Sequence, residues 1–170
     1  MIKNEQCPLM DRIAMGVGKL FRDVLRVDRG MKQNVHFQLF GPDGRLKAER
    51  RIKNTVTTAG KNGVADQALE SPTLAKPGWM EVGTGAGGTT KLNTYISGSR
   101  TALSSKTREN AVVTMVCTFG AGVGTGAITE CGVFDVVTED TVNMWMYSSF
   151  AAINKAAADT LTVTWTLTVS

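Results

Sequence analysis

The residue types that most often carry catalysis or bind metal are sparse in this chain. Its single histidine is His36, and its three cysteines are Cys7, Cys117 and Cys131. A structural zinc site needs four closely placed ligands, and a Ser/His/Asp or Cys/His catalytic pair would have to be built on His36 alone. The cysteines form no CxxC pair, so we expect reduced, buried thiols. The sequence therefore predicts no metal site, no catalytic residue and no enzymatic activity.

A glycine-rich segment, residues 83–88, matches the GxGxxG fingerprint of dinucleotide-binding proteins. That fingerprint works when a helix begins at the loop and presents its N-terminal amides to a pyrophosphate. The residues that follow, 89–99, are rich in turn-forming types and have no helical pattern. We therefore predict a loop at this position, and neither a nucleotide nor any other cofactor.

Glu130 is the only carboxylate within the apolar segment 128–134. A lone carboxylate in such a place could serve as a general acid or base, but hydrolysis by that route normally needs a second carboxylate at a defined distance. The sequence offers only Asp135 or Asp159 for that part. We expect Glu130 to be structural, with a hydrogen bond to a turn or to a neighbouring chain.

The spacing of apolar residues predicts the helices and strands in which these residues lie. Between Pro8 and Val27 apolar side chains recur every three or four residues, which predicts an amphipathic helix. Gly16 and Gly18 each weaken that helix by about 1 kcal/mol relative to alanine, so we expect it to dock on its own domain, on a neighbouring subunit or, as a third option, on a membrane surface. Its stripe supplies the following candidates for a partner interface: Leu9, Met10, Ile13, Val17, Leu20, Phe21 and Val24.

From Val35 onwards the period changes to two, which indicates β-strands. Residues 41–44, Gly-Pro-Asp-Gly, predict a tight turn, and the charged return strand near 46–56 is typical of an edge. A short helix is predicted over 58–69, and strands over 110–119, 128–137 and 142–150. The clearest strand is 160–169, where threonines alternate with large apolar residues.

The expected fold is therefore mainly β. We predict an antiparallel β-sandwich or jelly-roll-like body over residues 31–170, which contains one short helix, and an N-terminal helical arm over residues 1–30. Four large side chains stand in succession at 144–147, on both faces of one strand. We expect a second sheet to cover one face and the N-terminal helix or another subunit to cover the other. Trp145 and Tyr147 are therefore also candidates for a partner interface.

Composition and charge narrow the class of partner. The 170 residues are 42% hydrophobic and 20% charged, as in ordinary globular proteins. The net charge is +4, with 13 Lys/Arg against 8 Asp/Glu in residues 1–70 and 6 against 7 in residues 71–170. Such a basic first part is typical of a solvated face, but it would also suit an acidic protein, a membrane surface or nucleic acid.

The sequence pattern disfavours two of these partners, nucleic acid and a membrane surface. Aromatic residues are not interleaved with the basic ones, so we expect no specific nucleic-acid binding. No apolar run approaches the roughly 18 residues that cross a bilayer, and the N-terminus lacks the layout of a signal peptide. We expect a protein made in a cytosol-like compartment, with no membrane partner.

Over roughly residues 35–170, an ordered series of glycine and strand motifs resembles a family of small virion structural proteins of tailed bacteriophages. The motifs lie at 54–61 (Asn-Thr-Val-Thr-Thr-Ala-Gly-Lys), 82–85, 92 with 99–100, 113–119, 124–134 and 154–165. Members of this family are regarded as head decoration proteins or as tail-fibre-like proteins. The N-terminal helix looks like an extra arm, because family members often begin close to the first hairpin.

The resemblance implies a non-enzymatic component of the virion, assembled in the host cytoplasm. The first interpretation is a cement or decoration protein that binds and stabilises the capsid lattice. Its partners would be the major capsid protein, other virion proteins and further copies of itself. The second interpretation is a tail or fibre adaptor that holds a receptor-binding chain. Copy number in particles separates the two, since a cement is present in hundreds of copies and an adaptor in a dozen or fewer.

Overall fold

The structure is a computed structural model, and it describes residues 30–169. Within that part, strands and a single helix follow one another along the chain. Their bounds are β1 (Met31–Phe40), β2 (Leu46–Val56), α1 (Thr58–Asp66), β3 (Trp79–Gly83), β4 (Thr101–Ala102), β5 (Ser105–Glu109), β6 (Val112–Phe119), β7 (Gly126–Phe134), β8 (Met144–Lys155) and β9 (Thr160–Val169).

The first sheet has the strand order β5-β6-β9-β1-β2, and all of its neighbours are antiparallel. Its register places large apolar residues of adjacent strands side by side: Trp165 of β9 lies between Val35 of β1 and Met115 of β6. Because side chains alternate between the two faces of a strand, the threonines of β9 all lie on the opposite face. One face of this sheet is thus apolar and the other polar.

The second sheet has the order β4-β3-β7-β8 and is also antiparallel. Strand β2 links the two sheets: it pairs with β1 along most of its length, and its last residues pair with β8 at Thr55–Tyr147 and Val56–Met146. The apolar faces of the two sheets pack together, which confirms an antiparallel β-sandwich. Large buried residues from both sheets fill this core, among them Phe37, Met80, Met115, Phe119, Ile128, Met146, Leu161 and Trp165.

The helix α1 covers one end of the sandwich. Thr57 caps it, since its Oγ1 accepts a hydrogen bond from the amide of Gly60 at 3.0 Å. Gly63 is buried against the indole of Trp145, and a Cβ at Gly63 would lie 2.3 Å from that ring. The glycine therefore permits a close contact between α1 and β8 that alanine would prevent.

Several predicted boundaries need correction. The helix predicted over 58–69 ends at Asp66, because the Asp66 carboxylate accepts hydrogen bonds from the amides of Thr73 and Leu74 and folds the following loop back onto the helix end. Strand β8 begins at Met144 and runs on to Lys155. The alternation in β9 holds except at Val169, which is 47% exposed at the strand end.

The predicted N-terminal arm lies outside the described residues, as do its seven candidate interface residues and Cys7. The described body, Met31–Val169, forms one compact unit. In that body no helix is both long enough and apolar enough to cross a membrane.

The turn between β8 and β9 is held by buried charged groups. Asp159 is 1% exposed, and its carboxylate accepts hydrogen bonds from Lys47 Nζ at 2.7 Å and from the amide of Ala156 at 3.0 Å. Lys155 is 2% exposed, and its Nζ donates to the carbonyl of Gly120 at 2.8 Å. The hydrogen bond from Lys47, followed by that from Ala156, lowers the pKa of Asp159.

This arrangement predicts a pH-dependent stability for Asp159→Asn. A carboxylate whose pKa is lower in the folded state stabilises the fold above its unfolded pKa, and that stabilisation is lost as the pH falls through the folded pKa. The variant should therefore be less stable than wild type at neutral pH, and the difference should shrink below about pH 4. Urea unfolding of both proteins between neutral pH and about pH 3 measures this difference in stability. A difference that stays constant with pH would contradict the role given to Asp159.

Candidate interaction site

Glu130, the carboxylate singled out in the sequence, lies on β7 and is fully buried. Its Oε1 accepts hydrogen bonds from the amides of Gly85 at 3.1 Å and Thr94 at 2.8 Å. Its Oε2 accepts from the amide of Asn93 at 3.2 Å and from the hydroxyl of Tyr147 at 3.1 Å. Both oxygens are thus used to hold the glycine-rich loop, which bears out the structural role expected for Glu130.

Tyr147 completes this network from β8. Its hydroxyl donates to Glu130 and accepts from the amide of Gly87 at 2.6 Å, and burial raises the pKa of the phenol. The side chain is partly buried rather than fully exposed. The hydroxyl of Tyr147, a candidate for a partner interface, thus forms hydrogen bonds with β7 and the glycine-rich loop of its own chain.

Gly83 and Gly85 of the GxGxxG match pack closely against Glu130. A Cβ at Gly85 would lie 2.7 Å from Glu130 Oε1 and 2.8 Å from the Thr94 amide, so only glycine lets the backbone approach the carboxylate so closely. Strand β3 ends at Gly83, and the segment that follows is a loop rather than a helix. The prediction of a loop is confirmed.

The thiols of Cys117 and Cys131 are free and fully buried, as expected. Burial raises the pKa of Cys117 to about 12 and that of Cys131 well above its ordinary value. A thiol held in its protonated form is a poor nucleophile. Within residues 30–169, no three His, Cys, Asp or Glu side chains are grouped closely enough to hold a metal ion.

Trp145 is the second candidate for a partner interface on β8. Its side chain is only 3% exposed, and α1 of the same chain packs against it. In a separate cluster, Leu92 from the glycine-rich loop packs with Phe134 and Met144. The described body therefore packs its own residues around this part of β8.

A buried ion pair was missed from the sequence. Arg100 Nη2 lies 3.0 Å from Glu81 Oε2, and both side chains are at most 2% exposed. The guanidinium also donates to the carbonyl of Val136 and stacks over the ring of Phe134 at 3.6 Å. Burial raises the pKa of Glu81, and the hydrogen bond from Arg100 opposes that effect. The pair is 19 residues apart in sequence, and no local pattern marks it.

The outer face of the first sheet is a polar surface. It consists of the side chains of β5, β6, β9, β1 and β2 that point away from the core. Threonines dominate its centre: Thr107, Thr114, Thr118, Thr160, Thr162, Thr164, Thr166 and Thr168. We call this surface the threonine face.

The charge of the threonine face is concentrated along β1 and β2. By alternation, Lys32, Arg51 and Lys53 lie on this side, and Glu49 is the carboxylate among them. Glu49 is held between two of its neighbours, with Oε1 at 2.5 Å from His36 Nε2 and 2.9 Å from Arg51 Nη2. These hydrogen bonds, that from His36 first, lower the pKa of Glu49. His36 is thus part of a hydrogen-bond network on the surface of the sheet.

The chain matches no protein-family model and no curated protein, and its fold matches no solved structure.

Proposed function

We propose that the chain is a non-enzymatic structural protein of a bacteriophage virion, a decoration or cement protein that binds the outer head lattice. The observation that carries the proposal is the threonine face, a continuous surface formed by five strands. The interior polar groups that could have served catalysis support the same interpretation, since Glu130 and Asp159 brace loops and turns.

The threonine face has the dimensions of a protein interface. Five strands spaced about 4.8 Å apart and roughly eight residues long, at about 3.4 Å per residue, present on the order of 600 Å². Specific, stable protein interfaces cover about 600–1,000 Å² on each partner. The face and its margins are therefore large enough for one contact with a neighbouring protein.

The charge on the threonine face favours an acidic partner surface. Lys32, Arg51 and Lys53 lie together at one side of the face, and Glu49 is already held by His36 and Arg51. Complementary charge orients two proteins before they touch and disfavours partners of the same sign. We propose that this basic side lies against an acidic patch of the major capsid protein or of another virion protein.

Reversing the charge on this side tests the proposal. Full-length Lys32→Glu/Lys53→Glu protein should bind phage particles at least tenfold more weakly than wild type, because like charges then face each other. Cosedimentation of purified protein with particles that lack it measures the binding. Lys61→Glu, a reversal on the exposed side of α1, is the matched control and should bind like wild type. Undiminished binding by the double variant would contradict the assignment of this face.

A further inference from the structure

An open cavity of about 550 Å³ lies between the first sheet, strand β8 and helix α1. Its walls are apolar and come from four elements: Val64 of α1, Val113 and Met115 of β6, Trp145 and Met146 of β8, and Leu167 of β9. A volume of 300 to 1,000 Å³ with a mainly apolar lining is typical of binding sites. The cavity could accept one large apolar side chain or more.

The mouth of the cavity is basic. Lys76, Lys106 and Arg108 line it, and no Asp or Glu does. Lys106 Nζ donates to the carbonyl of Pro77 at 2.7 Å, and Arg108 Nη1 donates to the carbonyl of Asn110 at 2.7 Å. Within residues 30–169 none of the three forms an ion pair with a carboxylate. Their positive charge is therefore available to an anionic group.

A free strand edge borders the same mouth. Strand β5 is the last strand of the first sheet, and it pairs only with β6 among the described strands. All five of its residues are exposed, and Lys106 and Arg108 alternate with Thr107 so that the two basic side chains lie on the cavity side. An edge of this kind can accept an added strand through backbone hydrogen bonds.

We propose that β5 and the adjacent cavity bind an extended, acidic segment of a partner protein, which adds to the first sheet as a strand. The segment places an apolar side chain in the cavity and carboxylates against Lys106 and Arg108. Since side chains two residues apart share one face of a strand, its pattern is acidic-x-apolar-x-acidic. The inference names the partner chemistry for the assembly role proposed above and rests on that role for the identity of the partner.

The N-terminal segment of the chain itself is a poorer occupant. Residues 1–30 carry six Lys/Arg against four Asp/Glu, a net charge of +2. That charge has the same sign as the three cations at the mouth. Charge complementarity therefore favours a separate acidic segment over this chain's own basic one.

The test uses full-length protein and a seven-residue peptide with a central leucine and glutamates two positions to either side. NMR titration should show saturable shifts at the Trp145 indole and slower hydrogen exchange at the amides of β5. Replacing the glutamates with lysines, or the leucine with serine, should each weaken binding at least tenfold. Lys106→Glu/Arg108→Glu protein should lose binding to the same extent, whereas Lys61→Glu should not.

The outcomes separate this inference from the proposed function. No saturable shifts with the acidic peptide, or equal binding of the lysine peptide, would overturn the inference even if the protein is found on particles. Specific binding of the acidic peptide would support it even if the protein were absent from particles, in which case the virion role would be wrong. Val113→Phe, which fills the cavity without altering charge, should also abolish binding, and circular dichroism checks that this variant is folded.

Discussion

Replacing Trp165 with alanine is expected to lower the free energy of unfolding by about 3–5 kcal/mol, which is a large part of the roughly 5–15 kcal/mol that stabilises a typical domain. Trp165 is fully buried between β1 and β6, and its Nε1 donates to Gln33 Oε1 at 2.6 Å. Gln33 is itself 2% exposed. The alanine variant therefore leaves both a cavity and a buried oxygen without its donor.

Urea unfolding followed by far-UV circular dichroism measures this loss. Thr164→Ala, one residue away on the threonine face, is the matched control and should cost less than about 1 kcal/mol. The two variants differ in which side of β9 they change. If Trp165→Ala unfolds within about 1 kcal/mol of wild type, the inward face of β9 has been assigned wrongly.

Replacing Glu130 with alanine should lower the free energy of unfolding by about 4 kcal/mol. Four donors lose their acceptor, and a buried donor left unsatisfied costs about 1–3 kcal/mol, with the lower figure applying where the loop can move to reach water. The substitution should also loosen the glycine-rich loop that Glu130 holds. Hydrogen exchange at the amides of Gly85, Asn93 and Thr94 should quicken far more than at amides in β9.

Two controls sharpen the test of Glu130. Glu130→Gln keeps one acceptor oxygen but turns an amide group towards backbone donors, so its loss should fall between wild type and Glu130→Ala. Tyr147→Phe removes one donor to the carboxylate and the acceptor for Gly87, so it should loosen the loop without unfolding the sandwich. Unchanged exchange in the loop of Glu130→Ala would show that other contacts hold this loop.

Local patterns account for the parts of the fold that the sequence predicts well. The β1–β2 hairpin follows from alternation on either side of Gly-Pro-Asp-Gly, and β9 from five threonines between apolar residues. Strand β5 has no such signal, because Ser105–Glu109 contains no apolar residue. It is a strand because β6 offers an edge to pair with, which is tertiary information.

The contacts of Glu130, the cavity and the burial of Trp145 likewise depend on tertiary structure that local patterns do not show. That Glu130 binds a turn follows from a lone carboxylate in an apolar strand, but its backbone donors lie 36 to 45 residues away and cannot be named from the local sequence. The cavity beside β5 depends on how α1, β6, β8 and β9 meet. The sequence predicts that Trp145 is covered, but the covering helix is known only once the fold is known.

The central claim, that the chain is a capsid decoration protein, is tested most directly by counting and locating it in purified virions. Quantitative mass spectrometry gives the copy number relative to the major capsid protein, and antibody labelling with electron microscopy gives the position. The account predicts on the order of hundreds of copies spread symmetrically over the head. A dozen or fewer copies confined to the tail would favour the adaptor, and absence from intact particles would contradict a virion role altogether.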